Sequence, residues 1–110
     1  MNQRVDQYSV YWVDLNPTQG AEINKTRPCV VVSPLEMNQH LRTIIIAPIT
    51  NRGREGYPTR VKILVNEITG WIVLDQLRAI DKTRLRQKIG DLSMEEISEV
   101  KSIIKEMLVD

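Results

Sequence analysis

Residues 22 to 34 read EINKTRPCVVVSP, and the placing of Arg27 and Pro28 directly ahead of four apolar residues decides how the chain is organised. A residue before proline is pushed out of the helical region into extended backbone. Proline itself suits the first position of a strand, where no ladder N–H is required. Cys29 to Val32 then make a short, β-branched apolar run that reads as a buried strand. A guanidinium is thereby set at the mouth of a core strand. Arg keeps its charge at any working pH and presents a planar fork of donors, so it suits phosphate oxygens better than general-base work. A structural salt bridge from Arg27 to Glu22 or Asp14 explains the same spacing, and from spacing alone it ranks slightly ahead.

Working outward, YSVYWVDL (residues 8 to 15) alternates in an aromatic and β-branched pattern and predicts a strand, and the turn-rich NPTQGAEINKT after it predicts a long exposed loop. PLEMNQHLR is a short helical turn or connection, and TIIIAPIT (43 to 50) is a second buried strand. If the two buried strands are neighbours, their ends bring Arg27 and Thr50 together. The simpler account of Thr50 is a strand-end hydroxyl bonded to its own turn. NRGREGYPT (51 to 59), rich in Gly and Pro, is another loop. RVKILVN (60 to 66) and WIVL (71 to 74) resume strand character with EITG as the turn between them; QLRAID continues it, and TRLRQKIGDL adds a final strand. Then the period changes. Ser93 and Glu96 form a capping box, and Met94, Ile97, Val100, Ile104, Met107 and Leu108 recur at helical spacing, predicting an amphipathic helix whose stripe packs over one mouth or face of the β-structure. The expected class is mainly β with one C-terminal helix (α+β), built as a small, partly closed barrel, since closure removes exposed strand edges.

A chain of 110 residues with 42% apolar content is expected to form one small domain over residues 1–110. Such a chain buries roughly two-thirds of its unfolded surface, enough for a thin core that self-association would reinforce. The N-terminus carries no apolar signal region, and no run approaches the ~18 apolar residues of a membrane span, so a cytoplasmic protein without membrane partners is expected. With one cysteine, Cys29, and one histidine, His40, the chain has neither an internal disulfide nor an ordinary zinc cage, and no cofactor or metal is expected. Cys29 reads as a small buried hydrophobe and His40 as a residue of a polar turn. The net charge of +1 conceals an asymmetry: residues 23–90 hold twelve Lys and Arg against five acids, while residues 91–110 hold two Lys against six acids. A basic middle is the footprint expected for a phosphate-bearing partner.

The segments VYWVDLNPTQGAE, TRPCVVVSP, IIIAPIT, GYP and VLDQLRAID, taken together and in this order, resemble the MazF/PemK family of bacterial toxin ribonucleases, sometimes grouped with the Kid toxin. The resemblance implies a homodimeric SH3-like barrel of the MazF/PemK/CcdB type that cleaves single-stranded RNA at short sequences without metal. It also implies inhibition by a cognate antitoxin. In that family the Arg of the TRP motif and the Thr closing the PIT strand are associated with cleavage, and they correspond to Arg27 and Thr50. The implied products carry a 2′,3′-cyclic phosphate and a 5′-hydroxyl, from attack of the neighbouring 2′-OH on phosphorus.

Those residue types fit the chemistry. In-line attack builds negative charge on the nonbridging oxygens, which a preorganised guanidinium stabilises more in the transition state than in the ground state. Thr50 would position the phosphate or the 2′-OH. Glu22 is the first candidate for the proton acceptor and Asp75 the second, and either could instead orient Arg27. For the RNA itself, Lys25, Arg52 and Arg54 are the phosphate candidates, Tyr57 a stacking platform, and Asn24 or Gln76 the base-edge partners. The Kid-like branch has a His in the loop after the first strand and an Arg two positions before the Asp of its DQ motif. This chain has Ala21 and Val73 there, so that branch's acid–base scheme does not transfer. Two other readings stand beside this one: a non-enzymatic toxin resembling the CcdB gyrase poisons, which binds a protein, and a catalytically idle module that binds RNA or antitoxin. The basic loops suggest an antitoxin with an acidic disordered tail that competes with RNA.

Overall fold

The computed structural model describes residues 4–16, 20, 21, 25–53 and 56–110. Within them the chain forms strands β1 (Ser9–Asp14), β2 (Thr26–Val31), β3 (Thr43–Thr50), β4 (Arg60–Val65), β5 (Ile68–Val73), β6 (Arg78–Asp81) and β7 (Leu85–Asp91), with helices α1 (Leu35–His40) and α2 (Met94–Leu108). The sheet order is β4-β5-β3-β2-β1-β7, and β6 also pairs with β3.

The connection between β6 and β7 forces the sheet to curl. β6 lies outside β3 and β7 lies outside β1, so both edges of the run β6-β3-β2-β1-β7 are joined only by the 3₁₀ turn Lys82–Arg84. In a flat sheet these edges would stand about four strand spacings, or ~19 Å, apart. Three linking residues reach at most about 14 Å between the flanking Cα atoms. The strands therefore roll around an apolar interior made of Val5, Tyr11, Val13, Leu15, Cys29, Val31, Ile44, Ile46, Ile80 and Leu85. The expected mainly β fold with a curled, barrel-like sheet and a terminal helix is the one observed.

A second core lies on the outer face. Alternate residues of the same strands, Val10, Val30, Ala47 and Ile49, pack with Val61, Ile63, Val65, Ile72 and Leu74 and are closed over by Val100, with Ile97, Ile103, Ile104 and Met107 against them. This two-sided burial is why Cys29 to Val31 read as a continuous apolar run: Cys29 and Val31 face inward, and Val30 faces α2. The β4–β5 hairpin folds back onto β7, where the Asn66 amide donates to the Ile89 carbonyl. A Cβ at Gly90 would come within 2.8 Å of Val65, so glycine permits this approach.

Four details depart from the sequence-based expectation. The β4–β5 turn is not residues 67–70: the ladder runs from Val65↔Ile68 to Arg60↔Val73, and only Asn66 and Glu67 turn. Asn66 adopts φ 52, a left-handed conformation that Asn tolerates well. Nor does QLRAID continue β5, because the 3₁₀ turn Leu74–Gln76 separates β5 from β6. The final strand begins only at Leu85, since Thr83 belongs to a turn capped by the Asp81 carboxylate, which accepts from the Thr83 N–H at 2.9 Å. On α2, Met94 and Leu108 are 82% and 65% exposed, so the packed stripe is shorter than expected. Leu108 follows the packed Met107 by one residue and is turned about 100° away from the core.

The capping box of α2 does more than start the helix. Glu96 accepts from the Ser93 N–H at 2.7 Å through Oε1, while its Oε2 accepts from the Leu64 N–H of edge strand β4 at 2.8 Å. One carboxylate thus satisfies a helix terminus and a sheet edge. Glu96→Ala is expected to lower the unfolding free energy by ~1–2 kcal/mol, more than Ser93→Ala does, in urea titrations. A smaller loss than for Ser93→Ala would refute the edge contribution.

Candidate functional site

The site is set by where β2 and β3 stop pairing. The strands are antiparallel, with Cys29↔Pro48, Val30↔Ala47 and Val31↔Ile46 opposed. Val32 N–H donates to the Ile45 carbonyl at 2.9 Å, so in the alternation of an antiparallel ladder Val30–Ala47 and Pro28–Ile49 are the next hydrogen-bonding positions. Pro28 has no N–H to give. The pairing ends at Cys29↔Pro48; continued two residues further, its register would bring Arg27 level with Thr50 at a position where side chains face one another. Both belong to the inward face, at one mouth of the curled sheet.

On its other side β3 changes partner at Pro48. Its first half pairs with β6 up to Ile46↔Arg78, and its end pairs with β5 at Ile49↔Ile72 and Thr50↔Trp71. Five residues, 73–77, therefore stand against Ala47 and Pro48, and the surplus is taken up by the turn Leu74–Gln76. By the same alternation the backbone nitrogen of Pro48 faces this turn, where no ladder donor is wanted. Asp75 and Gln76 are thus carried beside the working end of β3. Gly70 completes the packing, because a Cβ there would lie 2.6 Å from the Thr50 carbonyl oxygen.

Thr50 is only 9% exposed. Its hydroxyl accepts from the Arg52 N–H at 3.1 Å, the local turn bond expected of a strand-end Thr, and among the described residues no acceptor takes its own proton. Arg27 is half-buried, with Cys29 next to it on the same face. The Cys29 thiol donates to the Arg27 carbonyl at 3.6 Å, and burial pushes its pKa up to about 12 even though the Arg78 and Arg27 guanidinium charges both pull it down. Arg78, which sequence reasoning passed over, stands opposite the inward-facing Ile46 across β3–β6. Its Nη1 donates to the Leu15 carbonyl at 3.3 Å, and Arg84 donates to the carbonyls of Asp14, at 3.2 Å, and Asn16. Asp14, one of the two acids considered as a partner for Arg27, lies 3.6 Å from Arg86.

The remaining candidates are spread around this mouth. Asp75 accepts from the Thr59 hydroxyl at 2.8 Å and pairs with Arg60 at 3.4 Å, which ties its turn to the start of β4. Tyr57 is 44% exposed, and the Arg60 guanidinium lies 4.8 Å from its ring centroid. Lys25 and Arg52 are exposed and Gln76 is half-buried. Lys25 adopts φ 69, and its N–H is held by the Asn16 side chain at 3.0 Å. Glu22, Asn24 and Arg54 lie outside the described residues. His40, at the end of α1, bonds the Glu36 carbonyl through Nδ1 at 2.7 Å, consistent with a structural role.

A cleft of about 410 Å³ opens on the outer side of the same strand ends, lined by Lys25, Arg27, Pro28 and Ile49 together with Trp12 and Ile68. Thr50 is not among its described lining residues. Trp12 also lines an adjoining cleft with Lys88 and Ile89. Nothing in the strand pattern of YSVYWVDL marks Trp12 as a cleft residue, because both faces of β1 are largely buried and periodicity cannot tell core from cleft.

Comparison with known proteins places this arrangement. Residues 6–108 match the family described as PemK-like, MazF-like toxin of type II toxin–antitoxin system. The chain belongs to this family. It is 36% identical over 100 residues to the endoribonuclease MazF of Staphylococcus saprophyticus, a match covering 86% of this chain and 83% of that protein. The crystal structure of MazF from Deinococcus radiodurans superposes with a TM-score of 0.86 at 24% identity, covering 97% of this chain and 98% of the other. MazF from a MazE–MazF crystal structure of the same organism superposes at 0.80 with 21% identity over 98% of each chain. The MazF-like fold is thus shared closely, and the TRP and PIT segments stand at the mouth just described.

The thiol beside these strand ends offers a direct check on the packing. Iodoacetamide at pH 8 is expected to leave Cys29 unmodified in the folded protein and to label it once urea unfolds the chain, as read by intact mass. Because the folded thiol ionises only near pH 12 and an unfolded one near ~8.5, stability should be unaffected by this group below about pH 8 and decline as the pH rises above it. Rapid labelling of the native protein at pH 8 would contradict the buried, closed mouth.

Proposed function

We propose that this MazF-type toxin is a metal-independent, sequence-specific endoribonuclease that cuts single-stranded messenger RNA and so halts translation and growth. The observation that carries the reading is the β2–β3 register, whose last pair, Cys29↔Pro48, leaves Arg27 and Thr50 each two residues beyond it at the strand ends. The likeness to an endoribonuclease of the same family supports it.

In this mechanism the scissile phosphate sits between the Arg27 guanidinium and the Thr50 hydroxyl. The 2′-OH attacks phosphorus in line, its proton leaves to a base, and the 5′-oxygen departs with a proton, which yields a 2′,3′-cyclic phosphate and a 5′-hydroxyl. Charge gathers on the nonbridging oxygens during the attack, and a fixed guanidinium in a mouth lined by apolar strands stabilises that charge without reorganising. Thr50 supplies a hydrogen bond and cannot supply a titrating group. Glu22 and Asp75 are the candidates for the acceptor. Asp75 already holds Thr59 and Arg60 through Oδ1, so Glu22, carried on the β1–β2 loop, ranks first.

Lys25, Arg52 and Arg54 are assigned to flanking phosphates, Tyr57 to stacking, and Asn24 and Gln76 to base edges. Two copies of the chain would form the working toxin, and an antitoxin with an acidic tail would occupy the basic loops in place of RNA. Binding of both should weaken as salt rises, because each neutralised phosphate or carboxylate releases counterions.

The test is incubation with a long single-stranded RNA in EDTA, with mapping of new ends and their phosphate state. Discrete cuts ending in cyclic phosphate and 5′-hydroxyl are expected, with Arg27→Ala losing ~10²–10³-fold in rate. Growth inhibition with RNA left intact across varied sequences would overturn the reading in favour of a toxin that binds a protein.

A further inference from the structure

We propose that Trp12 and Glu67 form a subsite for one nucleotide flanking the cut, in which the base stacks on Trp12 and gives an exocyclic amino N–H to the Glu67 carboxylate. The proposal deepens the ribonuclease reading above and rests on it.

The backbone puts Trp12 on the outward face of β1, two residues past the core residue Val10 and opposite Pro28. Trp12 is not part of the outward core; its ring is half-buried and walls two adjoining clefts of about 410 and 480 Å³. Trp12, Glu67 and Ile68 line both, which makes the pair one groove bounded by an indole and the β4–β5 turn. β7 is built around this ring. Tyr11 pairs with Lys88 and Val13 with Leu85, so two residues, Arg86 and Gln87, stand against Trp12 alone. A bulge of this kind re-aims a side chain, and Gln87 is delivered to the groove.

Position, charge and shape all select an RNA nucleotide as the occupant. Asn51 directly follows Thr50 and lines the groove, as does Arg27, so a strand leaving the mouth at either residue enters it without a gap. Among the described lining residues, Lys25 and Arg27 in one cleft and Lys88 in the other stand against the carboxylate of Glu67. Lys88 pairs with Asp91 at 3.3 Å, but both side chains are exposed, and a surface pair of this kind holds its partner weakly. An indole face beside amide and carboxylate groups is the combination that holds unpaired bases, through stacking and bonds to their Watson–Crick edges. An acidic peptide would meet Glu67 with like charge. A nucleotide separates a phosphate, for the cations, from a neutral base, for Trp12 and Glu67.

Glu67 sets which base fits, because an ionised carboxylate only accepts. Adenine, cytosine and guanine each present an amino group on the Watson–Crick edge, whereas uracil presents one N–H between two carbonyl oxygens that the carboxylate repels. The groove therefore favours an amino-bearing base over uracil at one flanking position. It takes no part in the bond changes at phosphorus.

The test uses the full-length protein and single-stranded RNA randomised around a site mapped with the parent. The parent is expected to disfavour uracil by ~10-fold or more at one flanking position, and Glu67→Gln to bring uracil within about threefold there while leaving other positions unchanged, since its amide both donates and accepts. Trp12→Ala is expected to raise KM by ~10-fold or more. Trp12→Phe, which keeps a stacking face, should recover most of that loss and reads the same effect against Trp12→Leu if the alanine variant does not fold. A substrate made abasic at the same position should lose a similar factor with the parent and little further with Trp12→Ala, a coupling that a merely structural tryptophan would not produce. An unchanged bias against uracil in Glu67→Gln would overturn the proposal, as would independent losses from the abasic site and Trp12→Ala. So would cleavage by both variants that matches the parent's, which would leave the groove to a protein partner. If the parent cuts no RNA, the ribonuclease reading fails first and the subsite falls with it; if the parent cuts and the variants behave as it does, the subsite fails alone.

Discussion

β3 is the strand on which the rest of the molecule depends, because it serves three neighbours and can do so only by giving up hydrogen bonds at chosen points. β2 runs along one side, while β6 and then β5 share the other. The handover falls at Pro48, whose missing N–H faces the gap between the two. Pro28, across the ladder, removes the donor that would have extended β2–β3 pairing to the strand ends. The two prolines thus fix where the ladder stops, and the residues just past that stop are a cation and a hydroxyl. On the proposed reading, the pair that meets the phosphate is obtained by ending a sheet on cue, with no loop needed to carry either side chain.

The same strands bury two cores at once. The inward cluster is held by the short link from β6 to β7, which leaves the sheet no option but to curl, and the outward cluster is held by α2. Side chains at the mouth are therefore backed by packing on both faces, which suits the preorganised guanidinium that the proposed mechanism requires. Cys29 fits this environment, since its burial among these strands pushes the thiol up to about 12. Glu96, joining the helix cap to the β4 edge, ties together two elements of the outward core.

The sequence was legible where local rules and global fold agree. RP before valines predicts a strand, TIIIAPIT its neighbour, and the Ser93–Glu96 box the helix; the last two stand where expected, while β2 begins two residues ahead of Pro28, at Thr26. It was less legible where tertiary pairing overrides local pattern. WIVLDQLRAID reads as one strand, yet five residues must be absorbed opposite Ala47 and Pro48, and only the register shows that. EITG reads as a turn because it contains glycine, but Gly70 is a strand residue kept small by the Thr50 carbonyl. Arg78 and Trp12 were passed over because neither sits in a loop, and Arg78 shows as a cation on the inward face only once the β3–β6 register is known. Their positions become meaningful only once the sheet curls and brings distant strands to one mouth.

The central claim is that the ends of β2 and β3 form a single phosphate site, and the most direct measurement of it is a crystal structure with an RNA made uncleavable by a 2′-deoxy nucleotide at the scissile position. The account predicts the scissile phosphate held between the Arg27 guanidinium and the Thr50 hydroxyl. A scissile phosphate lodged elsewhere, in the Trp12 cleft or along the β4–β5 turn, with Arg27 and Thr50 untouched, would contradict it.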